Sequence, residues 1–203
     1  NWYEVDLDRH MKRTEKRPTV TGHLSLNTVL TLGIISSVVG LGLILFVSIE
    51  AAIYAFLGWF TYVVPYTLWT KRRTTLNTAV GSLSGAFTPL IGWAVIESAY
   101  HIAPITLFAV LFIWQMPHTF AITIRRYDDY KAAGVPMLPV VYGIPVTVRQ
   151  IIIYVACLLP LPFFLTSLGH VFIAMMTTIN LIWLGFAFRG LFEENHMKWA
   201  NYM

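Results

Sequence analysis

Six apolar stretches, Leu26–Val47, Ala51–Trp69, Leu76–Ile96, Ile102–Ile124, Val146–Leu165 and Val171–Phe188, each approach the ~20 residues a helix needs to cross a ~30 Å hydrocarbon core. With 57% of residues hydrophobic and 12% charged, the chain is excluded from the ordinary soluble domains. The expectation is an all-α, polytopic transmembrane helix bundle of six spans, one domain over residues 1–203. The single cysteine, Cys157, lies inside an apolar stretch, which excludes disulfides and thiolate metal sites and leaves it a packing role. The segment Met197–Met203 reads as the lip of a further span, so the chain is expected to be a fragment lacking helices at both ends.

The basic residues test the span count. If the spans alternate across a bilayer, Arg9, Lys12, Arg13, Lys16 and Arg17 precede the first, and Lys71, Arg72 and Arg73 follow the second. Arg125, Arg126, Lys131 and Arg149 fall between the fourth and fifth, and Arg189 and Lys198 follow the sixth. All of them then lie on one side, while the opposite connections around Ser48–Glu50, Glu97–His101 and Thr166–His170 hold no Lys or Arg. By the positive-inside rule the basic face is cytoplasmic, and the location expected is the cell membrane. Orientation alone accounts for Arg72, Arg73, Arg149, Arg189 and Lys198. It does not account for Glu4, Asp6, Asp8, Asp128 and Asp129 on the same face, because acidic residues contribute little to that signal.

In the first loop, helical spacing puts Asn1, Glu4 and Asp8 on one stripe, and Asp6 on another with Arg9 and Arg13. The first stripe is the better ligand set for a hard cation. Mg²⁺ prefers oxygen ligands and takes one or two protein carboxylates before a substrate's phosphates complete its shell, while Lys and Arg hold the remaining phosphate oxygens. The alternative is a solvated helix end in which Asp6 and Arg9 form an exposed pair of little worth.

The second loop follows Trp114-Gln115-Met116-Pro117-His118. If the helix continues past Pro117, His118, Arg125 and Asp129 share a face, with Thr119, Thr123 and Arg126 on the neighbouring one. A lone histidine in an apolar span is more often structural than a ligand, although polar groups inside a span are costly and point to function. Gly81 and Gly85 form a small-xxx-small pattern whose ordinary role is close helix packing. The chain has no P-loop, dinucleotide fingerprint or nucleic-acid motif.

Taken in order, the sequence has Asn1-x-x-Glu4-x-Asp6-x-Asp8 and Met11-x-Arg13-Thr14-x-x-Arg17-Pro18, then Lys71-Arg72 and Gly81-Ser82-Leu83-Ser84-Gly85-Ala86. Trp114-Gln115-Met116-Pro117-His118 and Asp129-Tyr130-x-x-Ala133-x-x-Pro136-x-Leu138-Pro139-Val140 follow. Over essentially its whole length the chain thereby resembles the protoheme IX farnesyltransferase (heme O synthase) branch of the UbiA-type intramembrane prenyltransferases. It departs from the wider family in carrying Glu4 where many relatives have Asp, and Arg125 where other branches have an acidic residue four before Asp129.

The resemblance implies a nine-helix bundle, of which this chain would supply the third to eighth, with two acidic loops at the mouth of a central cavity. It implies farnesyl transfer from farnesyl diphosphate to a vinyl group of heme b, with Mg²⁺ as cofactor. Asn1, Glu4 and Asp8 would bind metal, with Asp6 a further candidate. Arg13, Arg17, Lys71 and Arg126 would hold diphosphate, Asp129 would serve a second metal or orient a cation, and His118 would contact heme. The implied partners are membrane lipid and a heme A synthase or oxidase assembly protein. The rival within the family is prenylation of an aromatic quinone precursor. A transporter is disfavoured, since Glu50 and Glu97 sit at outer span ends and Lys and Arg stay outside the cores.

Overall fold

The computed structural model describes residues 1–203, and every regular element in it is helical. Two short helices, α1 (Val5–Arg9) and α2 (Pro18–Thr21), precede the first long one, α3 (Leu26–Val47). Helix α4 (Ile49–Thr61) runs on as a π-helix over Tyr62–Trp69 and a 3₁₀ turn over Thr70–Arg72. Then come α5 (Asn77–Ala86), α6 (Thr88–Ala94), α7 (Ile102–Arg125), α8 (Tyr127–Ala132), α9 (Leu138–Tyr142), α10 (Ile144–Cys157), α11 (His170–Arg189) and α12 (His196–Trp199).

Five stretches are long and apolar enough to cross a membrane: Leu26–Val47, Ile49–Arg72, Ile102–Arg125, Ile144–Phe164 and His170–Arg189. The remaining expected span, Leu76–Ile96, forms as the consecutive pair α5 and α6, both packed between α4 and α7. Its break has a local cause. Pro89 in the first turn of α6 lacks the N–H that would reach the carbonyl of Gly85, and Thr88 Oγ1 donates to that carbonyl instead, at 2.9 Å.

Two cores hold the bundle. The larger joins α7, α10, α11 and α12 through Met116, Phe120, Ile124, Val148, Ile151, Val155, Ala187 and Trp199. The smaller joins α4 and α6 through Ala51, Leu90 and Ala94. Helix α3 buries none of its residues, and Cys157, expected in the packing, is exposed on the outer face of α10. The glycine pattern of α5 serves close approach. A Cβ at Gly81 would stand 3.0 Å from the Tyr66 ring, and one at Gly85 2.5 Å from the Gln115 amide.

The two ends of the bundle differ in charge as the sequence requires. At one end Arg72 reaches the first loop, and Arg125 and Arg126 line a pocket with His10 and Lys12. At the other, Glu50 Oε1 accepts from the backbone N–H of Ala99 at 2.9 Å, joining two connections that hold no Lys or Arg.

Candidate active site

At the basic end the first loop covers a cavity of about 340 Å³. Its polar wall is Asn1, Glu4, Asp8, Arg13, Arg17 and Lys71. Its apolar floor is Leu7, Met11, Val135 and Met137, with Tyr62, Tyr66, Thr119 and Tyr130 between.

Helix α1 positions the carboxylates. Glu4 caps it, Asp8 N–H donates to the Glu4 carbonyl at 2.9 Å, and both side chains turn inward to burial. Buried charge must be countered, and each carboxylate meets its own cation. Arg17 Nη1 donates to Asp8 Oδ2 at 2.8 Å and Oδ1 at 3.0 Å, and to Asn1 Oδ1 at 2.8 Å. Lys71 Nζ stands 2.6 Å from Glu4 Oε1, which is buried and makes no well-angled hydrogen bond. Thr14, fully buried, donates to the Asp8 carbonyl at 2.9 Å and fixes the turn that returns Arg17 to the acidic helix. Arg17 itself is held extended before Pro18, as a residue preceding proline must be.

Asp6 points elsewhere. Its partner is Arg72, not the Arg9 of the solvated-helix alternative: Nη1 to Oδ2 and Nη2 to Oδ1 are both 2.7 Å. That guanidinium holds the Asp6 carboxyl below the usual carboxylate range. The i, i+4 geometry of α1 explains why the stripe of Glu4 and Asp8 excludes Asp6. Asp6 therefore does not line the cavity.

The charged residues of the second loop are not brought into this cavity, which takes only Tyr130, Val135 and Met137 from that connection. Helix α7 does continue through Pro117, but it ends at Arg125, and Arg126 takes a non-helical conformation. Asp129 then belongs to α8 and leaves the face it was expected to share with His118 and Arg125. Arg125, Arg126, Asp128 and Asp129 line a separate open pocket of about 310 Å³ with His10 and Lys12, and Arg126 and Asp129 stand 3.9 Å apart. His118 is exposed on α7, its ring stacked on Trp114 with centroids 4.9 Å apart.

Four participants lie outside the residues singled out from sequence: Tyr62, Tyr66, Tyr130 and, as a tie to the first loop, Arg72. Tyr62 and Tyr66 are i, i+4 partners just before the basic run, the spacing that could have revealed them. Burial pushes the Tyr130 phenol up, against the opposing pull of Arg13 and Arg126, so it remains a neutral donor at ordinary pH. A smaller polar cavity of about 180 Å³ adjoins the first, sharing Tyr62, Tyr66, Thr119 and Met137 and adding Asn77, Thr78, Ser82 and Gln115.

The donor set suits a hard divalent cation that is also coordinated by its substrate. No three His, Cys, Asp or Glu side chains converge to form a protein-only cage. What the cavity offers is two carboxylates and one amide oxygen, with cations beside them, and Mg²⁺ in phosphate sites uses that kind of shell.

The sequence model of the UbiA prenyltransferase family matches residues 1–203. The chain is 57% identical over 202 residues to a protoheme IX farnesyltransferase of Oceanobacillus iheyensis, covering 99% of this chain and 64% of the relative. It is 51% identical to protoheme IX farnesyltransferase 2 of Bacillus subtilis, covering 100% and 67%. With a protoheme IX farnesyltransferase of Geobacillus thermodenitrificans it shares 49% identity, covering 100% and 66%. The chain thus spans about two thirds of the length of these relatives. No solved structure matches it.

Proposed function

Because this chain belongs to the UbiA prenyltransferase family, we propose that it is the greater part of a protoheme IX farnesyltransferase, transferring farnesyl from farnesyl diphosphate to a vinyl group of heme b. The observation that carries this reading is the convergence of Glu4, Asp8, Arg13, Arg17 and Lys71 over an apolar floor at the basic end of a multi-pass membrane protein. The family and the names of the relatives supply the class of acceptor.

Ionising an allylic diphosphate builds negative charge on the leaving group and positive charge on the prenyl chain. Arg13, Arg17 and Lys71 hold the leaving oxygens, and Arg17 adds the planar fork that matches phosphate. Asn1, Glu4 and Asp8 would hold Mg²⁺, which supplies further positive charge to those oxygens. In the structure Lys71 and Arg17 counter Glu4 and Asp8, so they are already at the place where the phosphates would need them. Leu7, Met11, Val135 and Met137 exclude water until the allylic cation has bonded to the vinyl carbon. The cation then left on the heme side takes up one water and loses a proton, giving the hydroxyethylfarnesyl group, with diphosphate as the leaving group. Arg126 and Asp129 are assigned to the diphosphate and a second cation from the neighbouring pocket, and His118 to the acceptor.

The basic face is assigned to the cytoplasm by the positive-inside rule, and the product to a heme A synthase or oxidase assembly partner. The full-length protein, given heme b, farnesyl diphosphate and Mg²⁺, is expected to yield heme O by mass. Absence of that product alongside good turnover of a hydroxybenzoate-type acceptor would replace heme with a quinone precursor.

A further inference from the structure

Two ion pairs tie the first loop to the bundle, and they use consecutive residues of the same turn. Lys71 faces inward to Glu4, and Arg72 faces outward to Asp6. The carboxylates differ in the same sense: the Glu4 side chain is 11% exposed and that of Asp6 61%. Arg72 is the more fully engaged cation. Besides its two bonds to Asp6, Nη2 donates to the Tyr3 carbonyl at 2.6 Å, and the guanidinium lies 4.6 Å from the centroid of the Tyr3 ring. An exposed ion pair ordinarily contributes little, because two long side chains must be ordered in high dielectric. A bidentate fork with a backbone acceptor and an aromatic face is the exception, and a lysine cannot reproduce it.

The inner pair has a conflict that the outer pair lacks. Lys71 is a diphosphate partner, so ligand binding draws it from Glu4 and weakens the inner tie. Both members of the outer pair lie outside the cavity lining and have no such competitor. We infer that Asp6, Arg72 and Tyr3 form an anchor that keeps the first loop docked on the second span while Lys71 passes from Glu4 to the prenyl diphosphate. Asp6 and Arg72 are positioning residues, with Asp6 acting outside the metal shell. This rests on the reading of the cavity as a diphosphate site.

The test uses full-length protein in vesicles with Asp6→Asn, Asp6→Glu and Arg72→Lys. Asp6→Asn and Arg72→Lys are expected to raise the KM for farnesyl diphosphate about tenfold, leaving kcat within about twofold and the Mg²⁺ requirement unchanged. Asp6→Glu, which keeps the carboxylate, is expected to stay near wild type. Limited trypsin digestion supplies a readout without substrate, with cleavage after Arg9, Lys12 and Arg13 faster in Asp6→Asn and Arg72→Lys than in wild type. Unchanged KM or unchanged cleavage in both variants overturns the anchor. A fall in kcat with a raised Mg²⁺ requirement in Asp6→Asn also overturns it and returns Asp6 to the metal. Should Arg72→Lys fail to fold, Asp6→Asn probes the same pair from an exposed position. Wild-type protein that cannot use farnesyl diphosphate would sink the diphosphate reading, while the digestion would still decide the anchor.

Discussion

The two acidic loops look alike in sequence and differ in the structure. In the first, Glu4 and Asp8 are buried and meet cations 67 and 9 residues away, Lys71 and Arg17, so the site exists only once the chain has folded. In the second, the close charge contact is Arg126 with Asp129, three residues on, in an open pocket. A carboxylate buried against a distant cation has lost its water and waits for a compensating ligand. In the second loop Asp129 is only 15% exposed, but its partner Arg126 is half exposed and stands 3.9 Å away, so that contact contributes little. The first loop is therefore where leaving-group chemistry should be concentrated, and the second should modulate it.

Asp8→Asn puts the sharpest strain on that contrast. It keeps an oxygen for Arg17 but removes the charge, and kcat/KM should fall on the order of a hundredfold or more, with helicity by circular dichroism unchanged. Near-normal turnover would remove the first loop from the chemistry. Arg17→Ala comes next, with farnesyl diphosphate use weakened about thirtyfold, against about threefold for Arg126→Ala. Equal losses would merge the two pockets into one functional site.

His118→Ala addresses the acceptor and should weaken heme b about tenfold in an absorbance titration while farnesyl diphosphate affinity holds. A destabilised protein with unchanged heme affinity would make His118 a structural partner of Trp114. The smallest effect is the pH dependence of the outer anchor. Since Arg72 depresses the Asp6 carboxyl, the contribution of the pair is fully present above the unfolded carboxylate range and is lost as pH falls through the lower folded value. Trypsin cannot follow that range, so hydrogen exchange of the loop amides is the measurement. Protection that already fades near neutrality would assign the anchor to another group.

Much of this was legible before folding. Apolar length located the spans to within a few residues, because a membrane helix has to match a fixed thickness. It could not show that Thr88-Pro89 divides one of them, since hydropathy does not register a missing N–H. The stripe of Glu4 and Asp8 was legible because one helical turn sets it. Arg72 was not, because charge alone assigned it to orientation and its contact with Asp6 spans 66 residues. Asp129 shows the converse. Its expected face depended on an unbroken helix, and the non-helical conformation of Arg126 ended that register.

The π-helix at Tyr62–Trp69 carries a consequence for the basic turn that follows. Pro65 sits within it, and Thr70 N–H is shared between the carbonyls of Tyr66, four residues back, and Pro65, five back, so the wider of the two rings holds one residue more than an α-turn does. An α-helix advances about 100° per residue, so surplus length in a turn acts as a rotation of everything downstream. Deleting Val64 would restore the commoner pitch and swing the next turn by about that angle, turning Lys71 away from Glu4. The backbone thus serves as an indexing device: which of two adjacent cations faces the cavity is fixed by where the helix widens.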